Sequence, residues 1–428
     1  CRAIARNDIF KKAMTFFFPM QNPELIPHLF RTEYRKIVSV LCRRFGFDEM
    51  ETAEDIASDT FLTAAQAWSY KGIPPNPTAW LYNVAKNKAK NHLQRNTIFE
   101  TKVSPELQTT ATSEQDIDLS PQNISDSQLQ MMFAICHPAI PPEAQIGLSL
   151  RILCGFGIDE IAEAFLTGKE TINKRLFRAK EKIRNEKIKI EMPGKAEIDN
   201  RLENVLTTIY LLFSEGYYSV SQNQVLRKDL CFEAMRLCHM LIENEGTNKP
   251  PVNALLSLMY FHASRFEART DQNGGLILYN DQDTNLWNQD LIAKGAWHLN
   301  LATTGTQLSK YHLEASIAYW HTQKTDSKQK WENILQLYNR LLQIAYSPVA
   351  ALNRTFALAK ANSPEQAIIE AEKLLLTGNQ FYYTLLGQLY TGIDNAQAKL
   401  NFEKALTLIK TPADTAVIQS KIDKLENR

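Results

Sequence analysis

The chain has 428 residues, 44% of them hydrophobic and 22% charged, and its formal net charge at pH 7 is +1. This length predicts roughly two to four domains. The near-neutral charge excludes a general electrostatic attraction to nucleic acid, so any such contact must come from local basic patches. The cysteines include no Cys-x-x-Cys pair, and no apolar run approaches the ~20 residues that span a bilayer. We therefore expect a cytoplasmic protein with no membrane contact.

Two amphipathic helices are predicted after residues 1 to about 20, to which we assign no function. The first spans Ile26 to Phe45 and carries apolar positions among basic side chains. The second spans Glu49 to Trp68, and one side of it is apolar, with Ile56, Thr60, Ala64 and Ala67. The other side is acidic, with Glu51, Glu54, Asp55 and Asp59. An acidic face between basic segments is often only solvated, but here it favours a protein partner.

The next predicted helix, Thr78 to Gln94, begins after Asn76 as N-cap and Pro77 at its first position. It and the adjoining Arg95 contain basic residues and no acidic one, interleaved with amides and aromatics: Trp80, Tyr82, Asn83, Lys86, Asn87, Lys88, Lys90, Asn91, His92 and Arg95. Such side chains can neutralise phosphates and stack on bases, so the pattern favours nucleic-acid binding. A plain solvated helix is the alternative.

Residues 99 to 127 are rich in Ser, Thr, Gln and Asp without periodicity, which predicts a linker. Another helical unit begins at Leu129, breaks at Pro138 and Pro141 to Pro142, and resumes from Ala144 to Leu153.

A helix-turn-helix pattern occupies Ile158 to Arg184. The first helix buries Ile158, Ile161, Ala162 and Phe165, a turn follows at Leu166 to Gly168, and the second helix buries Ile172, Leu176, Ala179 and Ile183. This arrangement leaves basic side chains free to meet phosphates, namely Lys174, Arg175, Arg178, Lys182 and Arg184. In a helix-turn-helix the second helix enters the major groove. The alternative is a solvated basic helix in an all-α protein.

The order of three motifs resembles the core of an extracytoplasmic-function sigma factor of the sigma-70 family. The motifs are AEDIASDTF at 53–61, NPTAWLYNVAKNKAKNHLQR at 76–95 and EIAEAFLTGKETINKRLFRAKEKIR at 160–184. The resemblance implies sigma region 2 over residues 21–98, a linker over 99–127 and the region 4 helix-turn-helix over 128–190. It also implies core RNA polymerase and promoter DNA as partners.

The resemblance assigns roles to individual residues. Those implied to bind the β′ clamp helices of the polymerase are Glu54, Asp55, Asp59, Thr60 and Phe61. Those implied to contact the −10 element are Trp80, Asn83, Lys86, Asn87 and Lys90. Those implied to contact the −35 element are Lys169, Glu170, Asn173, Lys174 and Arg178. The turn departs from the family pattern, because Leu166 stands where many sigma factors have glycine and Gly168 follows two residues later.

The second half of the chain, residues 195–428, is predicted to be a helical extension. Residues 368–376 and 400–408 are similar at an offset of roughly 32, and each follows another predicted helix, close to the ~34-residue period of tetratricopeptide repeats. Asp281 and Asp283 have the spacing of a calcium loop, but Leu286 and Ile292 replace residues that such a loop requires. We predict no metal, no cofactor and no catalytic site.

The extension also resembles that of one sigma subgroup, which carries a C-terminal domain related to tetratricopeptide repeats. The motifs are Ile209 to Tyr217, Ala268 to Asp271, Asp281 to Asp283 and Ser347 to Arg354. This resemblance implies that the extension controls activity, through a regulatory protein or through the core domains of the same chain. The whole chain is then an all-α, non-enzymatic sigma factor. The alternative is a two-domain DNA-binding regulator with a partner-recruiting extension and no polymerase role, and a helical enzyme is the third class.

Overall fold

The computed structural model describes residues 25–103, 117–165, 167–218, 227–269, 277, 279–305, 308–409 and 412–426. Within these ranges the regular elements are helices and no strand occurs, so the predicted all-α class is confirmed. The chain divides into two compact units, Cys1–Val205 and Leu206–Arg428. No helix in the described ranges is long and apolar enough to cross a membrane.

The helices of the first unit follow closely from the apolar periodicity. Their bounds are α1 Leu25–Phe45, α2 Met50–Lys71, α3 Pro77–Val103, α4 Pro121–Ile135, α5 Pro142–Leu148 with a π-helical turn at Ser149–Leu153, α6 Ile158–Ala164 and α7 Lys169–Asn185. The predicted N-cap of α3 is confirmed, because the Asn76 side chain accepts a hydrogen bond of 3.0 Å from the Ala79 amide. Ser120 caps α4 in the same way, with Pro121 at its first position.

Helix α1 lies at the centre of the first unit and packs against α2, α3, α4 and the π-helical turn. Its apolar stripe contributes Tyr34, Ile37 and Leu41, each with no exposed surface. Phe30 of α1 contacts the Phe61 ring of α2 edge to face at 5.0 Å. The helices assigned to the two sigma-like domains therefore share one packed unit.

The predicted linker is too long. Helix α3 continues through residue 99 to Val103, and α4 begins at Pro121, eight positions before the predicted start at Leu129. Polar composition hid both helix ends, because surface helices also tolerate Ser, Thr, Gln and Asp. Residues 104–116 of the predicted linker lie outside the described residues.

The second unit consists of helices that pack pairwise along the chain. Their bounds are α8 Ile198–Tyr218, α9 Lys228–Glu243, α10 Pro250–Ala263, α11 Phe266–Arg269, α12 Gln289–Ala302, α13 Lys310–His321, α14 Lys328–Ile344, α15 Pro348–Ala361, α16 Pro364–Glu372, α17 Gln380–Tyr390, α18 Asn395–Leu408 and α19 Pro412–Glu426. The boundary between the units falls inside α8 and not at the predicted residue 195.

The repeated pattern near the C-terminus corresponds to two helix pairs, α15 with α16 and α17 with α18. The second pair begins 32 and 31 positions after the first, as the sequence offset predicts. Gly387 allows α17 to approach α18 closely, because a Cβ atom there would lie 2.6 Å from the Phe402 ring. Ser347, Ser363, Asn379 and Asp394 cap the four helices with side-chain oxygens.

Candidate polymerase-binding and DNA-binding surfaces

The helix-turn-helix forms where it was predicted, with α6 and α7 joined across residues 165–168. The predicted apolar face of α7 is confirmed, and its four side chains Ile172, Leu176, Ala179 and Ile183 are buried. The Thr167 amide donates to the Ala162 carbonyl at 2.9 Å and ends α6. Gly168 caps α7 with φ −74°, a backbone conformation open to any residue. Leu166 lies outside the described residues.

The residues predicted to contact the −35 element form an exposed surface on the first half of α7. Lys169, Glu170, Asn173, Lys174 and Arg178 are all exposed. Lys169 is paired with Asp159 of α6 at 2.7 Å, whereas neither Lys174 nor Arg178 forms an ion pair with a described residue. Because these two cations are already solvated and unpaired, they can meet phosphates without first breaking a protein contact.

The other basic residues of α7 are not all free, contrary to the sequence expectation. Arg184 is bound to Glu51 of α2 and donates to Glu181 at 2.9 Å, and Lys182 pairs with Glu186 at 2.8 Å. Arg175 lies 5.6 Å above the Phe165 ring. Lys180 and Arg184 therefore hold α7 against α2, whereas Lys174 and Arg178 are exposed cations of α7 that form no ion pair among the described residues.

The residues predicted to contact the −10 element follow one side of α3. Asn83, Asn87 and Lys90 are exposed, whereas Trp80 and Lys86 are half-buried. The Trp80 ring meets Trp68 of α2 edge to face at 5.4 Å, which fixes its orientation at the start of the helix. The exposed amides of Asn83 and Asn87 and the ammonium of Lys90 therefore lie on one helix whose start is packed against α2.

A cavity of about 420 Å³ adjoins this side of α3. It is lined by Ala79, Tyr82, Asn83 and Lys86 and, on the opposite side, by residues 117–119. The Tyr82 hydroxyl donates to the buried Glu33 carboxylate at 2.5 Å, and burial together with this carboxylate raises the pKa of Tyr82. The tyrosine ring is therefore fixed as a wall of the cavity. A cavity of this size with an aromatic wall, an amide and an ammonium has the chemistry to hold one unstacked base.

The residues predicted to bind the polymerase separate into two groups on α2. Asp55 and Asp59 are exposed, and Asp59 pairs with Lys88 of α3 at 2.5 Å. Thr60 and Phe61 are buried in the unit, Phe61 with 4% of its surface exposed. Their assignment to a protein surface is not compatible with this packing, because Phe61 packs against Phe30 of α1 and the buried Thr60 hydroxyl donates to the Ile56 carbonyl within α2. Asp55 and Asp59 are therefore the exposed carboxylates that remain as predicted polymerase contacts.

Glu54 is the centre of an ion-pair network that joins α2 to the helix-turn-helix. Its carboxylate accepts hydrogen bonds from Lys180 of α7 at 2.6 Å and from Arg151 of the π-helical turn at 3.1 Å. Glu51, one turn earlier, is bound to Arg184 and lies 3.5 Å from Lys180. Both the Glu54 and the Lys180 side chains are only 13% exposed. Glu54 is therefore engaged inside the protein.

The titration of Glu51 reflects this network. Partial burial raises its pKa, but its backbone hydrogen bond and the charges of Lys180 and Arg184 outweigh that effect, so the net pKa is lowered. Beneath the network, burial raises the pKa of the Cys42 thiol, and Glu54 adds to the increase. A second ion pair, between Arg31 of α1 and Glu160 of α6 at 2.6 Å, joins the helix-turn-helix to α1.

Sequence reasoning missed Lys180 and Arg151 as members of this network. A signal was present, because Lys180 lies four residues after Leu176 and beside the buried stripe of α7. Glu51 and Glu54 are three apart and so share a face of α2. Many basic residues of the sequence could pair with these two carboxylates. Only the packing of the helices shows that Lys180, Arg184 and Arg151 do so. No group of His, Cys, Asp and Glu that could hold a metal occurs in the part of the chain that the structure describes.

Part of the first unit matches a known family. The sigma-70 region 2 family matches residues 29–98, which are α1, α2 and most of α3. The RNA polymerase sigma-H factor of Pseudomonas aeruginosa is 29% identical over 161 residues, or 35% of this chain and 80% of that protein. The ECF RNA polymerase sigma-E factor of Haemophilus influenzae is 29% identical over 157 residues, with the same shares of the two chains.

Other matches cover part of the second unit and nearly the full length of the chain. A family of unknown function, DUF6596, matches residues 201–303. "Uncharacterized protein R00370" of Rhizobium meliloti is 31% identical over 387 residues, which cover 89% of this chain and 91% of the relative. No solved structure matches the chain.

The fold and these surfaces define an all-helical factor with a sigma-70 region 2 domain at its N-terminus. The chain carries a sigma-70 region 2 domain at residues 29–98 and belongs to one full-length family with the Rhizobium meliloti protein.

Proposed function

We propose that this protein is a cytoplasmic sigma factor that directs bacterial RNA polymerase to specific promoters for transcription initiation. In this proposal Asp55 and Asp59 of α2 bind the polymerase, the exposed side of α3 contacts the −10 element, and the first half of α7 contacts the −35 element. The protein has no catalytic role, because the polymerase performs the chemistry of RNA synthesis.

The observation that carries the proposal is the combination of surfaces on one unit. A sigma-70 region 2 domain with exposed carboxylates at Asp55 and Asp59 shares that unit with a helix-turn-helix whose unpaired cations are Lys174 and Arg178. The helix α3 between them adds exposed amides next to a cavity large enough for a base. A factor that only bound DNA would have no use for the acidic surface.

The ion pairs of Glu54 indicate how polymerase binding proceeds in this proposal. Glu54 becomes available to a partner only when Lys180 and Arg151 release its carboxylate. We therefore expect α7 to leave α2 when the polymerase binds, which also lets the two DNA-binding helices take up the spacing that a promoter demands. The free-energy cost of this opening lowers the apparent affinity for core polymerase.

The direct test is the affinity for purified core RNA polymerase. Asp55→Lys places a cation on the exposed acidic surface and should weaken binding by more than tenfold, since like charges across an interface cost several kcal/mol. Glu332→Lys, which makes the same charge change on α14 of the second unit, is the matched control and should bind as the parent does. Binding that is absent in the parent, or unaffected by Asp55→Lys, would favour a DNA-binding regulator without a polymerase role.

We further propose that the extension is related to tetratricopeptide repeats and modulates the activity of the sigma-like unit, through a partner protein or through the unit itself. The test is promoter-dependent transcription with a chain that ends after Val205. This boundary keeps Arg201, which donates to the Phe133 carbonyl at 2.7 Å within the first unit. Equal transcription by the shortened and the full chain, at equal folded concentration, would exclude a modulating role.

A further inference from the structure

The second unit contains a cavity of about 500 Å³ that the sigma function does not use. We refer to it as the extension cavity. It opens among helices α14, α15, α17 and α19 and the end of α13, and its lining residues are Tyr279, Asp281, His321, Trp331, Tyr338, Asn353, Phe356, Gln388 and Lys421. Its volume lies within the 300–1,000 Å³ of ordinary small-molecule sites.

The walls of the extension cavity are aromatic and held in fixed positions by one another. The Tyr279 ring meets His321 edge to face at 4.9 Å, His321 meets Trp331 at 5.8 Å, and Trp331 meets Phe356 at 5.4 Å. The Trp331 indole N–H donates to Asp326, which fixes the ring against rotation. A continuous wall of preoriented rings favours a ligand with a flat, apolar surface.

Cations lie behind these rings in excess over carboxylates. Arg265 and Lys330 are 5.5 and 5.6 Å from the centre of the Tyr279 ring, and Lys360 is 5.8 Å from that of Trp331. Two carboxylates oppose these three cations and the Lys421 ammonium of the lining. They are Asp281, in the lining, and Asp326, which already accepts from Trp331 and lies 3.5 Å from Lys360. The excess positive charge favours an anion in the cavity.

The two cations behind Tyr279 are costly to bury. Lys330 is only 3% exposed and donates to the Tyr279 hydroxyl and the Gln323 carbonyl, both neutral acceptors. Arg265 is also buried, and its Nε–H has no acceptor among the described residues. Asp326 is the carboxylate whose charge acts on Lys330, and it is shared with Lys360. Burial of charges that are only partly compensated costs several kcal/mol, and a bound anion would offset part of that cost.

His321 supplies a further polar group in the wall. Its Nδ1 atom is out of reach of solvent and has no hydrogen-bond partner among the described residues. Burial, Arg265 and Lys330 lower its pKa to about 3, so the ring is neutral at physiological pH. Because this nitrogen does not reach the cavity surface, His321 contributes a neutral ring to the wall and no positive charge.

We propose that the extension cavity binds a small anion that carries a planar aromatic ring. The ring packs against Trp331 and Phe356, and the acid group lies towards Lys421, the ammonium in the lining. A cationic ligand is disfavoured because the wall rings are already backed by Arg265, Lys330 and Lys360. Binding at this site would make the extension responsive to the concentration of such a ligand.

Probes that share one ring and differ in charge test this proposal in the full-length protein. Isothermal titration calorimetry should give saturable one-to-one binding of indole-3-acetate. The neutral indole-3-acetamide should bind more weakly, and tryptamine, the cation, about tenfold more weakly than the acetate, which is about 1.4 kcal/mol. Equal affinities for the three probes, or no saturable heat with indole-3-acetate, would overturn the proposal.

Two substitutions in the lining have opposite expected effects. Lys421→Gln removes the ammonium and should weaken indole-3-acetate binding about tenfold. Asp281→Asn removes the exposed carboxylate of the lining and should tighten it, a change that loss of folding cannot imitate. Lys328→Gln alters an exposed lysine of α14 outside the cavity and should change nothing. If Lys421→Gln and Lys328→Gln behave alike, or if Asp281→Asn weakens binding, the assigned orientation and charge preference are wrong.

Discussion

The ion pair between Lys180 and Glu54 makes a quantitative prediction about how tightly α7 is held against α2. We consider Lys180→Met, which keeps the length and apolar stem of the side chain and removes its charge. Loss of one partner from a fully buried pair costs about 3–5 kcal/mol. Here Glu54 keeps Arg151 at 3.1 Å and some access to water, so we expect about 2 kcal/mol.

The control is Lys182→Met in the same helix. Lys182 is 46% exposed and pairs with Glu186 one turn away, a contact within α7 that does not involve α2. Exposed pairs at this spacing contribute about 0.3–0.5 kcal/mol. The two substitutions remove the same charge and differ only in which contact they break.

Hydrogen exchange followed by mass spectrometry measures this difference locally, which is necessary because a chain of two units need not unfold in one step. A decrease of 2 kcal/mol in the free energy of opening corresponds to about thirtyfold faster exchange. We expect this acceleration in peptides of α2 and α7 with Lys180→Met and at most about twofold with Lys182→Met. Equal exchange in the two variants would refute the structural role of the Lys180–Glu54 pair.

Other predictions follow from particular residues. Phe61→Ala should destabilise the first unit by about 3–5 kcal/mol, measured by the same exchange experiment, because Phe61 is buried against α1. A much smaller change would contradict the burial of this side chain. Arg178→Ala should lower the salt dependence of promoter-fragment binding by about one unit in slope, and an unchanged slope would remove Arg178 from the phosphate contacts. Burial raises the pKa of Glu314 to about 7 despite Lys310 and the Tyr210 hydrogen bond. The raised value means that its contribution to stability is present below the unfolded pKa, near pH 4.5, and is lost as pH rises through 7. Glu314→Gln should therefore raise the free energy of opening of its unit above pH 7 by about 3 kcal/mol and change it little at pH 4, as hydrogen exchange in peptides of α13 would show; equal effects at both pH values would contradict this.

The bounds of the helix-turn-helix were predictable because its apolar positions recur at the helical period and a turn separates them. The same logic predicted that Thr60 shares the apolar side of α2, and it is buried there. The family resemblance, by contrast, assigned Thr60 and Phe61 to a polymerase-binding surface. A resemblance transfers positions in a motif and not the exposure of each side chain, so periodicity was the better guide for this residue.

The packing of α7 on α2 was not predictable from the sequence. Glu51 and Glu54 could pair with several different basic residues of α7, so charge complementarity does not fix how the two helices pack. The long polar segment between α3 and α4 also gives no restraint on the distance between α2 and α7. The extension cavity was also beyond prediction, because Tyr279, Trp331 and Lys421 are far apart in the sequence and belong to no motif. Such sites arise only when helices from different repeats converge.

The function itself is tested most directly by run-off transcription with purified core RNA polymerase on genomic DNA fragments. A sigma function predicts transcripts with defined start sites that appear only when this protein is added, and that are lost when Lys174→Glu and Arg178→Glu are combined on the exposed surface of α7. Fragments that the protein binds tightly but that core polymerase never transcribes in its presence would contradict a sigma function.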